Sequence, residues 1–292
     1  MIHPKAIIEK DVILGEEVSI GPYAYIEKGV HLGRGVRVSA FVHLKANTYI
    51  GDNTFIGSGS VIGEAPQVLE SRVPRGKVYI GKNNIIREYV TINCASSPDK
   101  ATSLGDSNFL MACSHIAHDC KLANNIVICN GTLVAGHVEI QDKVFISGNV
   151  VIHQFVRIGR LAMVGGLSRV NQDILPFMLV VGDSRVWGLN LVGLRRASFK
   201  ANQISPIRKA HNFLYRKDLP LKIALENLKK IDSTEVKEMV VFILSSQRGI
   251  CGPKRSTLWE KLFLDYPYFI GRKIPTYDSL PKPDLNKFDT RE

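Results

Sequence analysis

The sequence predicts a mainly β protein: a parallel β-helix of hexapeptide repeats followed by an α-helical C-terminal domain. Counting in steps of six from Ile2 to Val170 gives 29 positions, and 27 of them are aliphatic. A constant period marks a stacked repeat, and a period of six fits neither an α-helix nor a coiled coil. An ordinary β-sandwich, the alternative, would need irregular turn spacing.

Three hexads per turn would close a triangular prism with the aliphatic column inside. Residues 18 positions apart would then lie above one another, at the strand spacing of about 4.8 Å. Glycine often follows the aliphatic residue, as at Gly15, Gly21 and Gly33, and glycine tolerates the positive φ of tight corners. The repeat therefore predicts where each side chain of the prism points.

The repeat predicts two domains, a β-helix over residues 1–186 and a basic α-helical domain with an extended tail over residues 187–292. Residues 64–79 and 93–103 interrupt the hexads and predict two loops, which on a rigid scaffold often carry binding residues. In the second domain, Ser205 and Pro206 form a predicted N-cap and first-turn pair. Apolar spacing predicts further helices near residues 221–228, 236–243 and 259–263.

Charge and cysteine usage limit the class of protein. The chain has 38 Lys and Arg residues against 27 Asp and Glu residues, a net charge of +11. Residues 187–292 hold 20 of the cations and 11 of the anions, so nine of those eleven charges lie there. This asymmetry indicates an acidic partner, which could be nucleic acid, a phosphorylated ligand or an acidic protein, or a solvated helical surface.

Compartment follows from what the sequence contains. Five cysteines without a CxxC pair argue against a disulfide framework and favour a reducing compartment. No basic-then-apolar signal segment begins the chain, and no apolar run is long enough to span a bilayer. We therefore expect a cytoplasmic protein without an integral membrane segment.

Histidines cluster where the repeat is most regular. By the 18-residue rule, His118, Gly136 and Gln154 share one column of the prism, and His137 and His153 flank it. The remaining member of the cluster, His115, lies one corner away. We expect these residues to converge on one stripe of the surface, although histidines placed at corners for structural reasons are the alternative.

The stripe has the groups that acyl transfer needs. A neutral imidazole at His118 can take a proton from an attacking hydroxyl, and Asp119 can hold the ring. The N–H of Gly136 can stabilise an oxyanion. Direct transfer is favoured over a covalent intermediate, because Cys120 is as easily buried as reactive. A zinc site made by three histidines between prisms remains an alternative.

At these residues the chain resembles the UDP-N-acetylglucosamine O-acyltransferase family of lipid A biosynthesis. The resemblance covers roughly residues 1–250. It rests on the segments Ser114–Cys120 (SHIAHDC), Leu133–His137 (LVAGH), Val151–Phe155 (VIHQF), Met163–Gly166 (MVGG) and Gly188–Arg196 (GLNLVGLRR). The first and third of these segments together are specific to the family, whereas the hexads alone are not.

The resemblance implies a left-handed β-helix, a homotrimer with active sites between subunits, and transfer of a 3-hydroxyacyl chain. The donor would be acyl carrier protein, with the chain on its phosphopantetheine, and the acceptor the 3-hydroxyl of the UDP-sugar. No other cofactor, no metal and no nucleic acid is expected. His118 would be the general base, Asp119 its support, and the Gly136 N–H would polarise the thioester carbonyl.

The resemblance also assigns substrate contacts. Asn190 and Arg196 would contact the nucleotide, and Gly166 sits where the family sets acyl length, with room for a longer chain. The other predicted substrate-binding residues are Gln67, His115, His137, His153 and Gln154.

This chain departs from the family pattern at the nucleotide sugar. Val68 replaces a carboxylate and Glu70 replaces a basic residue in the first loop, and Val192 and Ala197 replace Glu and Arg near Asn190. Lost polar contacts change substrate preference. Two alternatives therefore stay open: a diverged enzyme acylating another UDP-amino sugar, and a non-catalytic trimeric scaffold. The resemblance fixes neither the length of the acyl chain nor the role of residues 252–292.

Overall fold

The computed structural model describes residues 1–68 and 76–253, and its core is a three-sided parallel β-helix. The first sheet contains the strands Ile7–Ile8, Tyr25–Ile26, His43–Leu44, Val61–Glu64, Thr91–Asn93, His115–Ile116, Leu133–Val134, Val151–Ile152 and Arg169–Val170. The second sheet contains Ile13–Leu14, His31–Leu32, Thr48–Ile50, Lys77–Ile80, Ala101–Leu104, Lys121–Leu122, Glu139–Ile140 and Arg157–Ile158.

The third sheet also carries the strands that join the β-helix to the helical region. Its members are Ser19–Ile20, Arg37–Val38, Phe55–Ile56, Ile85–Ile86, Phe109–Leu110, Val127–Ile128, Phe145–Ile146, Met163–Val164, Met178–Val181, Arg185–Leu189 and Gly252–Pro253. Met178–Val181 and Arg185–Leu189 pair antiparallel, and the second of them runs across the predicted boundary at 186/187.

The register confirms the 18-residue rule. Ile7 pairs with Tyr25, and His115 pairs with Leu133, each 18 residues on. In most strands the second residue is buried and the first is not, as the hexad column predicted. Ile26 and Ile116, for example, are fully buried. The predicted parallel β-helix of hexapeptide repeats is therefore confirmed.

Three columns of corners separate the sheets, and each forms an edge of the prism. We call the corner between the first and second sheets the histidine edge; it includes Asp119, His137 and Phe155. All three residues adopt a positive φ, near 60°. A left-handed corner excludes β-branched residues but admits Asp and His at modest cost. The coil therefore holds the backbone of Asp119 and His137 in the same conformation, one turn apart.

Both predicted loops leave the prism at the histidine edge. The first loop leaves the coil after Val61–Glu64 and rejoins it at Lys77–Ile80, with residues 65–68 and 76 described, and the second loop, residues 94–100, replaces the corner of the next coil. The hexad phase resumes unshifted, because Val78 pairs with Thr48 and Ile80 with Ile50. The two loops therefore stack directly before Asp119 along the edge. Glu70 lies outside the described residues.

The C-terminal region is helical, as predicted, but one helix start is wrong. The helices are α1 Leu191–Arg196, α2 Ala201–Tyr215, α3 Leu221–Lys229 and α4 Thr234–Leu244. Helix α2 begins five residues before Pro206, which lies inside it. The Gln203 side chain accepts a hydrogen bond from the Lys200 N–H at 3.1 Å and so caps the helix earlier.

The helix predicted near 259–263 and the tail lie outside the described residues. Among the helices that the structure describes, none is long and apolar enough to cross a membrane. Several polar contacts fasten the helical region to the coil; for example, Arg160 Nε lies 2.8 Å from the Glu238 carboxylate, and the Ser246 hydroxyl donates to Asp173 Oδ2 at 2.8 Å.

Candidate active site

The centre of the site is a buried histidine–carboxylate pair. His118 Nδ1 lies 2.7 Å from Asp119 Oδ2, and the two residues are 9% and 8% exposed. A proton on Nδ1 makes this a donated hydrogen bond and leaves the lone pair on Nε2. With the proton on Nδ1, Nε2 is the nitrogen that can accept a proton from a substrate.

Asp119 is held by Ser96 of the second loop and by Thr102 of the strand that follows it. The Ser96 N–H donates to Asp119 Oδ2 at 3.1 Å, and the Thr102 hydroxyl oxygen accepts from the Asp119 N–H at 2.8 Å. Burial alone would raise the pKa of Asp119, but hydrogen bonds from Ser96 and His118 outweigh it and lower that pKa. The carboxylate therefore stays ionised opposite His118.

Gly136 lies against the imidazole in the next coil. A Cβ at this position would lie 2.6 Å from His118 Cε1 and 2.7 Å from His118 Nε2. Both distances are shorter than a Cβ makes to an atom outside its own residue and chain neighbours. Only glycine leaves room for the ring. Among the residues that the structure describes, no group accepts a hydrogen bond from the Gly136 N–H, so this donor beside His118 is available to a ligand.

His137 extends the site along the edge. Its ring meets that of His118 edge-on at 5.1 Å and stacks on Phe155 at 4.5 Å. Its Nε2 lies 3.7 Å from Asp119 Oδ2. Burial lowers the pKa of His137, and the charges of His118 and Lys100 lower it further against the opposing effect of Asp119. His137 is therefore a neutral hydrogen-bonding group at pH 7.

The other predicted histidines flank this centre. His115 Nδ1 lies 2.7 Å from the Thr91 hydroxyl, and burial lowers the pKa of His115. His153 and Gln154 are exposed on the same edge, two coils beyond His118. His153 borders a cavity of about 350 Å³ that Arg185 and Arg248 also line. The predicted convergence on one stripe is thus what the structure shows.

The predicted nucleotide contacts lie on another edge of the same chain. Asn190 is 6% exposed, and its side chain caps α1 through Gly193 N and donates to Leu161 O, both at 2.9 Å. Leu161 belongs to the corner between the second and third sheets. Arg196 is exposed at the end of α1. The Asn190 side chain is thus engaged within the chain, and its nucleotide contact remains a prediction.

Gly166 and Gln67 complete the predicted set. Gly166 is exposed on the remaining edge, between the third and first sheets, and a Cβ there would meet nothing closer than 3.5 Å. The 18-residue rule predicts this position. Gln154 lies on the histidine edge, and Gly166 follows it by 12 residues, which is two corners of the prism. Gln67 is exposed in the first loop, near the histidine edge.

Within the described part of the chain, three neighbouring residues could together hold a metal ion: His118, Asp119 and His137. One ligand atom from each of His118, Asp119 and His137 lies within 4.8 Å of the others, within the described part of the chain. His118 and Asp119 also form the hydrogen bond that orients the imidazole, so a bound metal ion would compete with that bond. Burial raises the pKa of Cys120 to about 12, and its Sγ faces Ala135 O at 3.1 Å. Cys120 is therefore a buried, protonated thiol.

Sequence reasoning missed Ser96, Thr102 and Phe155. Phe155 lies 18 residues after His137, so the repeat could have placed it against that ring. Ser96 carries no such signal, because the loop breaks the spacing from which the columns are counted, and its contact with Asp119 follows from the stacking of that loop. Thr102 comes after the loop, and its neighbour Ser103 pairs with Lys121 18 residues on, so the repeat could have placed Thr102 beside Asp119.

Comparisons with known proteins identify the family to which this chain belongs. Residues 173–251 match the family model of the second domain of UDP-N-acetylglucosamine O-acyltransferase, and residues 29–64 match a model of six bacterial transferase hexapeptides. The acyl-[acyl-carrier-protein]–UDP-N-acetylglucosamine O-acyltransferase of Nautilia profundicola is 43% identical over 188 residues, covering 63% of this chain and 73% of the relative. This chain belongs to the UDP-N-acetylglucosamine O-acyltransferase family.

Solved members of the family share the whole fold, including its left-handed β-helix. The UDP-N-acetylglucosamine acyltransferase of Campylobacter jejuni is 39% identical, with a TM-score of 0.81 over 87% of this chain and 100% of that one. The Francisella novicida enzyme is 33% identical, with a TM-score of 0.84 over 87% of this chain and 95% of that one.

Among relatives found by sequence, the Gloeothece citriformis protein is 48% identical over 164 residues, and this match spans 56% of the chain and 59% of that relative.

Proposed function

We propose that this protein transfers a 3-hydroxyacyl chain from acyl carrier protein to the 3-hydroxyl of UDP-N-acetylglucosamine. The observation that carries the proposal is one arrangement: His118 Nδ1 bonded to Asp119 at 2.7 Å, with Nε2 beside an unbonded Gly136 N–H. A base and an oxyanion donor on one spot suit acyl transfer. The names of the Nautilia and Gloeothece relatives state acyl transfer from acyl carrier protein to an oxygen of UDP-N-acetylglucosamine.

The chemistry requires two proton movements. His118 Nε2 takes the proton of the sugar hydroxyl as its oxygen attacks the thioester carbonyl carbon. The carbonyl oxygen becomes an oxyanion beside the Gly136 N–H, and the ionised Asp119 stabilises the imidazolium. When the C–S bond breaks, the imidazolium returns its proton to the leaving pantetheine thiolate. An ester and a free thiol result, and His118 is neutral again.

A homotrimer would complete the site. The catalytic pair, the Asn190–Arg196 segment and Gly166 lie on three different edges of one protomer. One copy therefore cannot bring all of them to one substrate. Packing of prisms around a three-fold axis would set the histidine edge of one copy against another edge of its neighbour. That edge would be the one that carries the Asn190–Arg196 segment or the one that carries Gly166. Gly166 would then border the acyl chain and leave space for its end.

The basic helices are the proposed docking surface for acyl carrier protein. Helix α2 exposes Arg208 and Lys209, and Arg216 and Lys217 follow its end. Steering by such charges raises the association rate and weakens with salt. Added salt should therefore raise the KM for acyl carrier protein but not for an acyl-pantetheine fragment. Five cysteines without a CxxC pair support a cytoplasmic setting for the enzyme.

The acceptor is the part of the proposal that the departures bear on. Val192, at a position where the family has Glu, is 55% exposed on α1. It lies one helical turn before Arg196. Val68 is 39% exposed in the first loop. Val192→Glu should lower the KM for UDP-N-acetylglucosamine if that sugar is the acceptor. An unchanged or higher KM would favour another UDP-amino sugar.

The test is an acceptor panel. Purified protein and 3-hydroxyacyl carrier protein would be offered UDP-N-acetylglucosamine, its 3-amino analogue and UDP-N-acetylgalactosamine, with products identified by mass spectrometry. Transfer to the first sugar supports the proposal. Transfer to another alone identifies a diverged enzyme. Transfer to none of them would overturn the proposal in favour of a scaffold or a metal enzyme, and metal analysis of the same protein would separate those two.

A further inference from the structure

The second loop meets the catalytic pair from the N-terminal side. The Ser96 N–H donates to Asp119 Oδ2, the oxygen that also faces His118. The other carboxylate oxygen, Oδ1, is buried and has no hydrogen-bond partner within the described residues. The orientation of the carboxylate therefore depends on the donors to Oδ2 alone.

Thr102 fixes the backbone of the same residue. Its side chain is fully buried, and its hydroxyl oxygen accepts the Asp119 N–H at 2.8 Å. Asp119 sits at a corner with a φ of 60°, so rotation of this one residue would swing the carboxylate away from His118. The hydroxyl of Thr102 opposes that rotation, because an unbonded buried N–H is costly.

The second loop is itself anchored to the first loop. Asn93 Nδ2 donates to Ala65 O at 2.9 Å, and the Gly76 N–H donates to Ala95 O at 3.0 Å. A Cβ at Gly76 would lie 2.4 Å from Ser97 O, so the two backbones touch. The first loop, which carries Gln67, thus braces the residues that hold Asp119.

We propose that Thr102 and Ser96 are positioning residues for the acyl transfer: they hold the Asp119 carboxylate against His118 so that Nε2 faces the Gly136 amide. The inference rests on the proposed function for its kinetic consequence. The family resemblance is carried by other segments, and neither residue belongs to them. Neither residue touches the reacting atoms, so each acts through Asp119.

The main test compares Thr102→Val with Thr102→Ser. Valine keeps the shape and removes the acceptor, and serine restores it. We expect Thr102→Val to lower kcat about tenfold, as for the loss of one buried hydrogen bond, with the KM for the sugar unchanged. The acidic limb of the pH–kcat profile should move to lower pH, because a displaced carboxylate stabilises the protonated imidazole less. Thr102→Ser should recover both.

Thr54→Val is the matched control for packing. Thr54 is a fully buried threonine whose hydroxyl likewise accepts a backbone N–H, from Asn84 at 3.3 Å, at a different edge. It should lose a similar amount of thermal stability and keep the wild-type pH profile. If Thr102→Val behaves like Thr54→Val, with a lower Tm and an unchanged profile, Thr102 is structural only and the proposal fails.

A second readout does not depend on acyl transfer. The rate at which diethyl pyrocarbonate modifies His118, followed by mass spectrometry across pH, reports the reactivity of its imidazole. Thr102→Val and Ser96→Pro, which removes the Ser96 N–H, should shift that pH dependence in the same direction. A shift without any wild-type transfer would contradict the proposed function but support the positioning roles. Unshifted curves would contradict the positioning roles alone.

Discussion

Two coils of the same β-helix each pair a histidine with a carboxylate. In the N-terminal coils, His43 Nε2 lies 3.0 Å from Glu27 Oε1, and Lys45 binds the same carboxylate at 3.1 Å. In the later coils, His118 Nδ1 meets Asp119. The N-terminal pair uses Nε2, and a lysine shares its carboxylate. The later pair leaves Nε2 free. A histidine beside a carboxylate therefore does not by itself mark a base for acyl transfer; at His118 the nitrogen left unbonded is Nε2, which lies beside Gly136.

The neighbouring amides differ in the same way. In the N-terminal coils, Glu9 accepts the Lys28 N–H at 2.9 Å, and Glu27 accepts the Ala46 N–H at 3.0 Å. Gly136 occupies the equivalent corner position, but alanine stands at 117, where a glutamate would be needed to accept its N–H. The difference teaches that the active site is a standard corner with its capping carboxylate removed.

The largest break in the comparison is expected from Asp119→Asn. An amide facing His118 Nδ1 favours the wrong tautomer, with the proton on Nε2, so kcat should fall by about 10³. Glu27→Gln makes the same change in the N-terminal pair and should leave kcat within about twofold of wild type. Steady-state kinetics on both variants test this, and equal losses would show that the two pairs do not differ in kind.

Restoring the missing cap should have the next largest effect. In Ala117→Glu the new carboxylate can accept the Gly136 N–H, as Glu9 accepts the Lys28 N–H. Loss of one oxyanion donor costs about 10²-fold in kcat. Ala117→Met adds similar bulk without the acceptor and serves as the control. If the two variants lose kcat equally, bulk and not capping is responsible, and the comparison of amides is wrong.

A fall in pH should destabilise the coils around the buried histidines before it destabilises the N-terminal coils. We expect this effect to be smaller than those of the two substitutions above. Burial lowers the pKa of His115, and that of His137, so the unfolded chain takes up protons first as pH falls below about 6.5, and stability is lost there. In the N-terminal coils the lowered pKa of Glu9, due to Tyr25 and the Lys28 amide, makes stability fall only below about 4.3.

Hydrogen exchange at pH 7.5 and 5.5, corrected for intrinsic rates, measures this difference. Amides of residues 109–140 should lose more protection than those of residues 19–50. His115→Gln, which removes one titrating group, should reduce the difference. A uniform loss of protection along the β-helix would contradict the assignment of acid sensitivity to the buried histidines.

The fold was predictable because its information is periodic. One aliphatic residue in six fixes the core, and 18-residue stacking then brings His118 against Gly136 without any structure. The same rule fails across the two loops, so Ser96 could not be placed beside Asp119, whereas Thr102 follows the second loop and lies within reach of the rule. Ser205 and Pro206 misled in a different way: they have good N-terminal propensity, but the helix gains an earlier cap from Gln203 and apolar packing of Ile207.

The contacts of Asn190 show a further limit. A motif assigns it to a nucleotide, whereas the chain uses its side chain to cap α1 and to bind Leu161. Sequence spacing cannot show such a contact, because Leu161 is 29 residues away and on another layer. Likewise, that Gly166 lies on a different edge from His118 follows from counting corners, yet which copy of the chain supplies it depends on assembly.

The most direct measurement compares His118→Ala with His43→Ala in the acyl-transfer assay, with both proteins checked for unchanged secondary structure and oligomeric state. Each variant removes a histidine that faces a carboxylate on the same β-helix. His118→Ala is predicted to lose about 10²- to 10⁴-fold in kcat, the range of a general base. His43→Ala is predicted to keep the wild-type rate. If His118→Ala retains that rate, or if both variants lose it equally, the account of the histidine edge as the catalytic site is wrong.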